Sequence, residues 1–406
     1  MITRIYKEYL GINMRYIKRI ISYFLLLSFF ATIIFNGYIV TLAEDTMLEI
    51  NSNAAILMEA STGKIIYEKN SDERVSPASI TKIMTLLLIF EALDEGKIAL
   101  SDEVTTSAYA KSMGGSQVFL EEGEIQSVET LIKCIVVSSG NDASVAMAEY
   151  IAGSEGEFVN MMNNEAARLS MNNTHFMDCT GLSDDDNHYS SAHDVAIMTR
   201  EIITKYPEIK NYSKIWTENI VHKTKKGESI FGLSNTNKLL KSYEYTTGLK
   251  TGSTSKAKYC LSATAIKEDV EMIAVIMGAQ NHKDRFKEAR NLLEYGYNNY
   301  YVYKDLNEDK LEPLKIKGAV KDELEIVYET SFQFLCEKNI KDTDITKKIT
   351  IYEGIDLPVK KYDVIGKAEY FYGEKLLGEV KIIANENAEK KEYKNYISKV
   401  IEMFFR

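Results

Sequence analysis

Two pairs of apolar, strand-like runs stand on either side of a long helical stretch, and this arrangement restricts the fold class. Ala54 to Met58 and Ile65 to Tyr67 come first, helical material follows from Ser79 to about Tyr212, and Tyr259 to Ala265 and Glu271 to Met277 come last. Short apolar runs bounded by turn residues read as buried strands. Strands this far apart share one sheet only if the chain between them is set aside as a helical layer. An antiparallel sheet completed by both ends of the segment and covered by helices is therefore expected, an α/β sandwich with a helical subdomain. Ser61-Thr62-Gly63-Lys64, between the first two runs, reads as a hairpin turn. Beyond a last helix through Leu292, Leu293 and Tyr297, alternating segments such as Leu324 to Tyr328 and Ile349 to Tyr352 predict a small all-β domain. A chain of 406 residues is long enough for two separate cores.

Composition excludes several classes of function. The net charge of −10, with no basic stripe interleaved with aromatics, argues against a nucleic-acid partner. None of His175, His188, His193, His222 and His282 forms the i, i+4 pair with glutamate of a zinc-protease helix. Asp184-Asp185-Asp186 lacks the glycine and final glutamate of a calcium loop and reads as a solvated turn. No phosphate loop is present, and neither metal nor cofactor is expected. Cys134, Cys179, Cys260 and Cys336 are widely spread and read as free buried thiols, with Cys260 close enough in sequence to the third motif below to report on it when alkylated.

Chemistry concentrates in three short motifs in fixed order: Ser79-Ile80-Thr81-Lys82, Ser139-Gly140-Asn141 and Lys250-Thr251-Gly252. Ser-x-x-Lys recurs at Ser61/Lys64, Ser253/Lys256 and Ser255/Lys258, so spacing alone is weak. Setting separates Ser79 from these: Pro77-Ala78 precedes it and the apolar run Ile83 to Ile89 follows, which puts Ser79 at a helix start with Lys82 one turn on. A serine hydroxyl needs a base to act as nucleophile, and Lys82 is the nearby candidate. An ammonium becomes a base only when burial or a second cation disfavours its charge, and Lys250 is the cation available. Ser139 then relays a proton to the leaving amine, and the Asn141 amide holds Lys82 and the substrate peptide group.

The three motifs, with Ala54 to Ala60, Thr180-Gly181-Leu182, Asn235 to Leu239 and Gly248-Leu249, resemble the penicillin-binding D,D-carboxypeptidases. The resemblance implies a β-lactamase/transpeptidase-like sandwich with the cleft between sheet edge and helical subdomain. It also implies removal of the terminal D-alanine from peptidoglycan stem peptides ending in D-Ala-D-Ala, through a Ser79 acyl-enzyme that β-lactam antibiotics trap. The backbone N–H groups of Ser79 and Ser253 are then the oxyanion donors, Lys250 and Thr251 hold the substrate carboxylate, and Gly252 lets the ligand backbone approach. Relatives usually carry glycine where this chain has Lys258. That side chain is expected to be solvated at a strand edge, and His193 to be a surface histidine at a helix start.

The alternatives are a β-lactamase and a non-catalytic peptidoglycan-binding protein. The first needs a deacylating glutamate between the second and third motifs, where Glu165 sits on an ordinary helix face; the second does not require the whole set of polar residues. The termini predict location. Arg15, Lys18 and Arg19 precede the apolar run Ile20 to Phe35, and Thr41-Leu42-Ala43 suits a signal peptidase, so residues 1–43 read as a signal peptide cleaved after Ala43 or kept as an anchor. Residues 44–303 follow as the catalytic domain, 304–388 as the small β domain, and 389–406 as an amphipathic helix with Tyr393, Tyr396, Ile397, Val400, Ile401 and Phe404 on one face. That helix suits a tether to the outer face of the cell membrane or packing against the β domain, and the enzyme is expected outside the cytoplasm.

Overall fold

The structure is a computed structural model that describes residues 48–225 and 227–392. The expected signal segment lies outside the described residues, and so does most of the helix expected over 389–406; its first four residues, 389–392, are described and are not helical, because Lys390 forms a β-bridge with Ala319. Strands β1 (Ala54–Glu59) and β2 (Ile65–Lys69) form a hairpin, with Gly63 at φ +70 in its turn. Strands β3 (Glu103–Thr105) and β4 (Ile125–Ser127) pair within the stretch read as purely helical, where a three-residue strand carries too little periodicity to be seen. The hairpin of β5 (Thr217–Thr224) and β6 (Gly227–Ser234) was likewise not expected. Strands β7 (Thr246–Thr254), β8 (Lys258–Lys267) and β9 (Val270–Ala279) complete the main sheet, in the order β2-β1-β9-β8-β7, antiparallel throughout. The sheet joins both ends of the segment as the strand pattern predicts, and β7 is left as an edge.

Helix α1 (Lys82–Asp94) is apolar on every side and runs through the core; Ile83, Leu86, Ile89 and Phe90 are buried. A helix of this kind needs neighbours all round. They come from α2 (Val128–Ser138), α3 (Asn141–Ala152), α4 (Glu155–Arg168) and α5 (Ala192–Lys205). Ser127, Ser154 and Ser191 cap the starts of α2, α4 and α5 by accepting N–H bonds. Helix α6 (Asp284–Asn299) covers β8 and β9, and its Tyr297 hydroxyl donates to the Ala265 carbonyl at 2.6 Å.

Strand β10 (Tyr300–Asp305) pairs with β14 (Phe332–Glu337), so position 303 falls inside a strand. The segment Leu324 to Tyr328, read as one strand, is split. β12 (Glu323–Leu324) pairs with β11 (Leu314–Lys315), and β13 (Ile326–Tyr328) joins a four-stranded sheet with β15 (Ile345–Ile351), β16 (Val364–Tyr372) and β17 (Lys375–Ala384). Phe332 stacks on buried Tyr370 at 3.8 Å between centroids and helps to fill this second core.

Candidate active site

Ser79 lies in a single 3-10 turn, Ala78–Thr81, that leads into α1. The turn begins with a non-glycine residue in the left-handed region, Ala78 at φ +47, a conformation that persists only when surroundings enforce it. Two glycines supply the enforcement. A Cβ on Gly252 would come within 2.9 Å of the Pro77 carbonyl and 3.1 Å of the Ser79 nitrogen, so only glycine lets β7 lie this close to the turn. A Cβ on Gly181, at φ +76, would overlap the Ala78 carbonyl. Gly252 is thus needed for packing against Ser79, in addition to the ligand approach expected from sequence.

Lys82, one turn on, is completely buried. Its Nζ donates to Ser79 Oγ at 3.1 Å, Asn141 Oδ1 at 2.6 Å and the Thr180 carbonyl at 2.7 Å. Burial lowers its pKa to about 8, while the nearby Cys179, Asp178 and Asp142 act in the opposite direction. Of the two expected causes, burial accounts for the lowering at Lys82, and the repulsion between the two lysines bears on Lys250 instead. Lys250 is also buried, and its pKa falls well below the usual lysine range through burial, then repulsion by Lys82 and by Arg285.

Ser139 ends α2 in the left-handed conformation, φ +61, and its hydroxyl accepts from Lys250 Nζ at 2.8 Å. In this state it faces Lys250 and not Lys82. Asn141 opens α3, where its Oδ1 meets Lys82 and its Nδ2 donates to the Gly114 carbonyl at 2.7 Å, leaving one amide hydrogen for other partners. On β7, Lys250 Nζ also donates to the Thr251 carbonyl, and the Thr251 hydroxyl donates to Thr236 Oγ1 at 2.7 Å. Ser253, two residues beyond Thr251 on this edge strand, is exposed. The structure therefore gathers residues of all three motifs into one place.

Sequence reasoning missed four contributors. The Thr180 carbonyl, held next to Gly181, is an acceptor for Lys82. Asp142 accepts from the N–H groups of Val118 and Leu120 and fixes the loop that presents the Gly114 carbonyl. Buried Arg285 crosses from α6 to donate to the Gly252 carbonyl at 3.0 Å and that of Cys260 at 3.2 Å. Thr236 partners Thr251. The stretches Thr180 to Leu182 and Asn235 to Leu239, already part of the resemblance, hinted at two of these; nothing local marked Arg285.

Other residues lie where expected or are corrected. Glu165 is nearly buried on α4 and tied to Arg168 at 2.6 and 2.7 Å. His193 is partly exposed near the start of α5. Lys258 is exposed, as expected, and its φ of +56 is a backbone conformation that favours glycine. All four cysteines are free and buried. Cys260 is fully covered, and burial pushes its thiol up to about 11, so it is a poor alkylation reporter in the folded protein.

Comparison with known proteins gives a consistent picture. A family model described as D-alanyl-D-alanine carboxypeptidase matches residues 40–281, and the C-terminal domain of penicillin-binding protein 5 matches residues 304–390. The chain is 40% identical to the D-alanyl-D-alanine carboxypeptidase DacF of Bacillus subtilis, over 86% of this chain and 89% of the relative. It is 33% identical to DacC of Escherichia coli, over 84% and 85%. The crystal structure of penicillin-binding protein 5 from Haemophilus influenzae is similar with a TM-score of 0.73 and 30% identity, covering 84% of this chain and 98% of that one. With the serine, its buried lysine and the Lys-Thr-Gly edge strand assembled as described, the chain belongs to the D-alanyl-D-alanine carboxypeptidase family.

Proposed function

We propose that this chain removes the terminal D-alanine from peptidoglycan stem peptides ending in D-Ala-D-Ala, using Ser79 as nucleophile and Lys82 as general base. The observation that carries this assignment is the buried Lys82 ammonium 3.1 Å from Ser79 Oγ. With a pKa of about 8, roughly one Lys82 in ten is neutral at pH 7, enough for a base whose protonated form must later return the proton. Neutral Lys82 takes the Ser79 proton as Oγ bonds to the penultimate carbonyl carbon. The resulting oxyanion is received by the backbone N–H groups of Ser79 and Ser253. The C–N bond then breaks, D-alanine leaves as its amine gains the proton through Ser139, and water attacks the acyl-enzyme with Lys82 again as base.

Lys250 and Thr251 hold the substrate carboxylate in this scheme, and the Asn141 amide orients the peptide. Their present partners, Ser139 Oγ and Thr236 Oγ1, keep both side chains placed at the strand edge until substrate arrives. β-Lactams present the same carboxylate and an activated amide, so they acylate Ser79. A β-lactamase reading is weaker because Glu165 is committed to Arg168 on α4. A purely binding role leaves the burial of Lys82 beside Ser79 without purpose.

We further propose that residues 44–303 act as the catalytic domain and 304–388 as a domain that positions it, and that the enzyme works outside the cytoplasm. The substrate's location supports this, as does the basic-then-apolar pattern of residues 1–43. The amphipathic pattern of 389–406 supports attachment to the outer face of the cell membrane; among the described residues no helix is long and apolar enough to cross a membrane. The test is D-alanine release from diacetyl-L-Lys-D-Ala-D-Ala. Release that is lost in Ser79→Ala supports the assignment. Rapid penicillin turnover without release would favour the β-lactamase, and neither activity would favour the binding protein.

A further inference from the structure

The loop between α4 and α5 carries a carboxylate that the mechanism above does not use. Asp178 is largely buried and gathers a dense set of donors. Its Oδ1 accepts from the Thr180 N–H at 2.6 Å, the Thr180 hydroxyl at 2.8 Å and the Gly181 N–H at 2.5 Å, and its Oδ2 accepts from the Ser183 N–H at 2.9 Å. These bonds curl residues 178–183 around one side chain. The curl turns the Thr180 carbonyl outward to Lys82 Nζ at 2.7 Å, and the Thr85 hydroxyl on α1 anchors the adjoining Cys179 carbonyl at 2.6 Å. His188 braces the same region: its Nε2 lies 2.8 Å from Thr81 Oγ1, its Nδ1 accepts from the Met177 N–H, and Nδ1 stands 3.7 Å from Asp178 Oδ2.

We propose that Asp178 is a positioning residue for the lysine base: it shapes the turn that aims the Thr180 carbonyl at Lys82 and places a fixed negative charge beside the ammonium. This rests on the assignment of Lys82 as base. Two consequences separate it from a carboxylate that merely stabilises a loop. Through the carbonyl, Asp178 holds Nζ in line with Ser79 Oγ. Through its charge, it offsets part of the burial that pushes Lys82 toward neutrality.

The charged and titratable groups around Lys82 come from three elements besides its own. They are Asp178 and Cys179 on this loop, Asp142 on α3, and Lys250 on β7. Burial raises the Cys179 thiol well above its ordinary value, so it is uncharged near neutral pH. For Asp178, burial acts upward, but His188 and the bonds from Thr180 and Ser183 overcome it and hold the carboxyl below its ordinary value, so it stays ionised. His188 is itself lowered by burial, against the opposing pull of Asp178. Removal of the Asp178 charge is thus not compensated by another group in the loop.

Asp178→Asn keeps an acceptor for Thr180 and Gly181 but removes the charge; Asp178→Ala removes both. The experiment measures the second-order rate of penicillin acylation of the full chain from pH 5.5 to 9.5 for wild type and both variants, with thermal melts alongside. Wild type is expected to show an acid limb near pH 8. In Asp178→Asn the limb should move to lower pH by about half a unit or more, because a base relieved of a neighbouring anion loses its proton more readily. In Asp178→Ala the plateau rate should also fall by roughly tenfold or more, with the limb displaced the same way. An acid limb in wild type that neither variant moves would overturn the role of Asp178 while leaving Lys82 as base. Absence of any limb in wild type, with acylation still at Ser79, would overturn the assignment of Lys82 and this inference with it. Lower melting temperatures with an unmoved limb would make Asp178 structural only and would also overturn the inference.

Discussion

Gly181→Ala is the substitution most directly tied to the geometry of the site. At φ +76 an alanine carries backbone strain of about 1 to 2 kcal/mol before any contact is counted. Its Cβ would overlap the Ala78 carbonyl and stand 2.8 Å from Thr81 Oγ1, closer than the 3.0 Å below which real Cβ contacts are essentially never seen. Ala78 cannot yield, because its own left-handed backbone is clamped by β7 through Gly252. The 178–183 turn must therefore retreat, by on the order of 1 Å, and Thr180 retreats with it. A Lys82–Thr180 bond of 2.7 Å then stretches past the limit of a hydrogen bond, and Nζ loses one of three acceptors. Misplacement on this scale costs about a hundredfold in rate. The assay is the penicillin acylation rate by stopped quench and mass, with D-alanine release and a thermal melt in parallel. Wild-type acylation together with an unchanged melt would refute the close packing of Gly181 on the nucleophile turn.

Other outcomes follow from individual residues. Lys82 titrates near pH 8 when folded and near its ordinary 10.5 when unfolded, so between these values the unfolded chain binds more protons and folding stability gains as pH rises. Relative to Lys82→Met, wild type should therefore gain about 3 kcal/mol between pH 8 and 10.5 in denaturant titrations, and a constant difference would contradict the buried lysine. The four buried thiols should be silent to a disulfide reagent at pH 8 in the folded protein and all react on unfolding; fast labelling of Cys260 in the native state would be the contrary result. Lys258→Gly should stabilise by about 0.5 to 1 kcal/mol, since the relieved left-handed strain exceeds the added chain entropy, and a destabilised variant would contradict that balance.

Much of the fold was readable because its main sheet is made of long, apolar, well-bounded strands. Ala54 to Met58 and Tyr259 to Ala265 are buried on nearly every residue, and such runs have few alternatives. The β3–β4 pair is too short to show a period, and β5–β6, with Ile230 exposed and His222 buried, does not show the regular apolar alternation that sequence reading relies on. The site divides in the same way. Side chains that carry chemistry stand in compact motifs, so Ser79, Lys82, Ser139, Asn141 and Lys250 could be found by spacing and setting. Their supports act through backbone atoms or across long sequence separations: the Thr180 carbonyl offers no side-chain signal, and Arg285 reaches Gly252 from a helix far along the chain. The packing role of Gly252 was hidden for a related reason, since an absent Cβ is informative only once its neighbours are known.

The central claim is that one serine, Ser79, becomes covalently acylated with Lys82 as its base. Mapping the penicilloyl adduct by digestion and mass spectrometry tests it most directly. One adduct per chain on the peptide containing Ser79, absent in Ser79→Ala and formed at least a thousandfold more slowly in Lys82→Met, is the predicted result. An adduct on another residue, or undiminished acylation of Ser79→Ala, would contradict it.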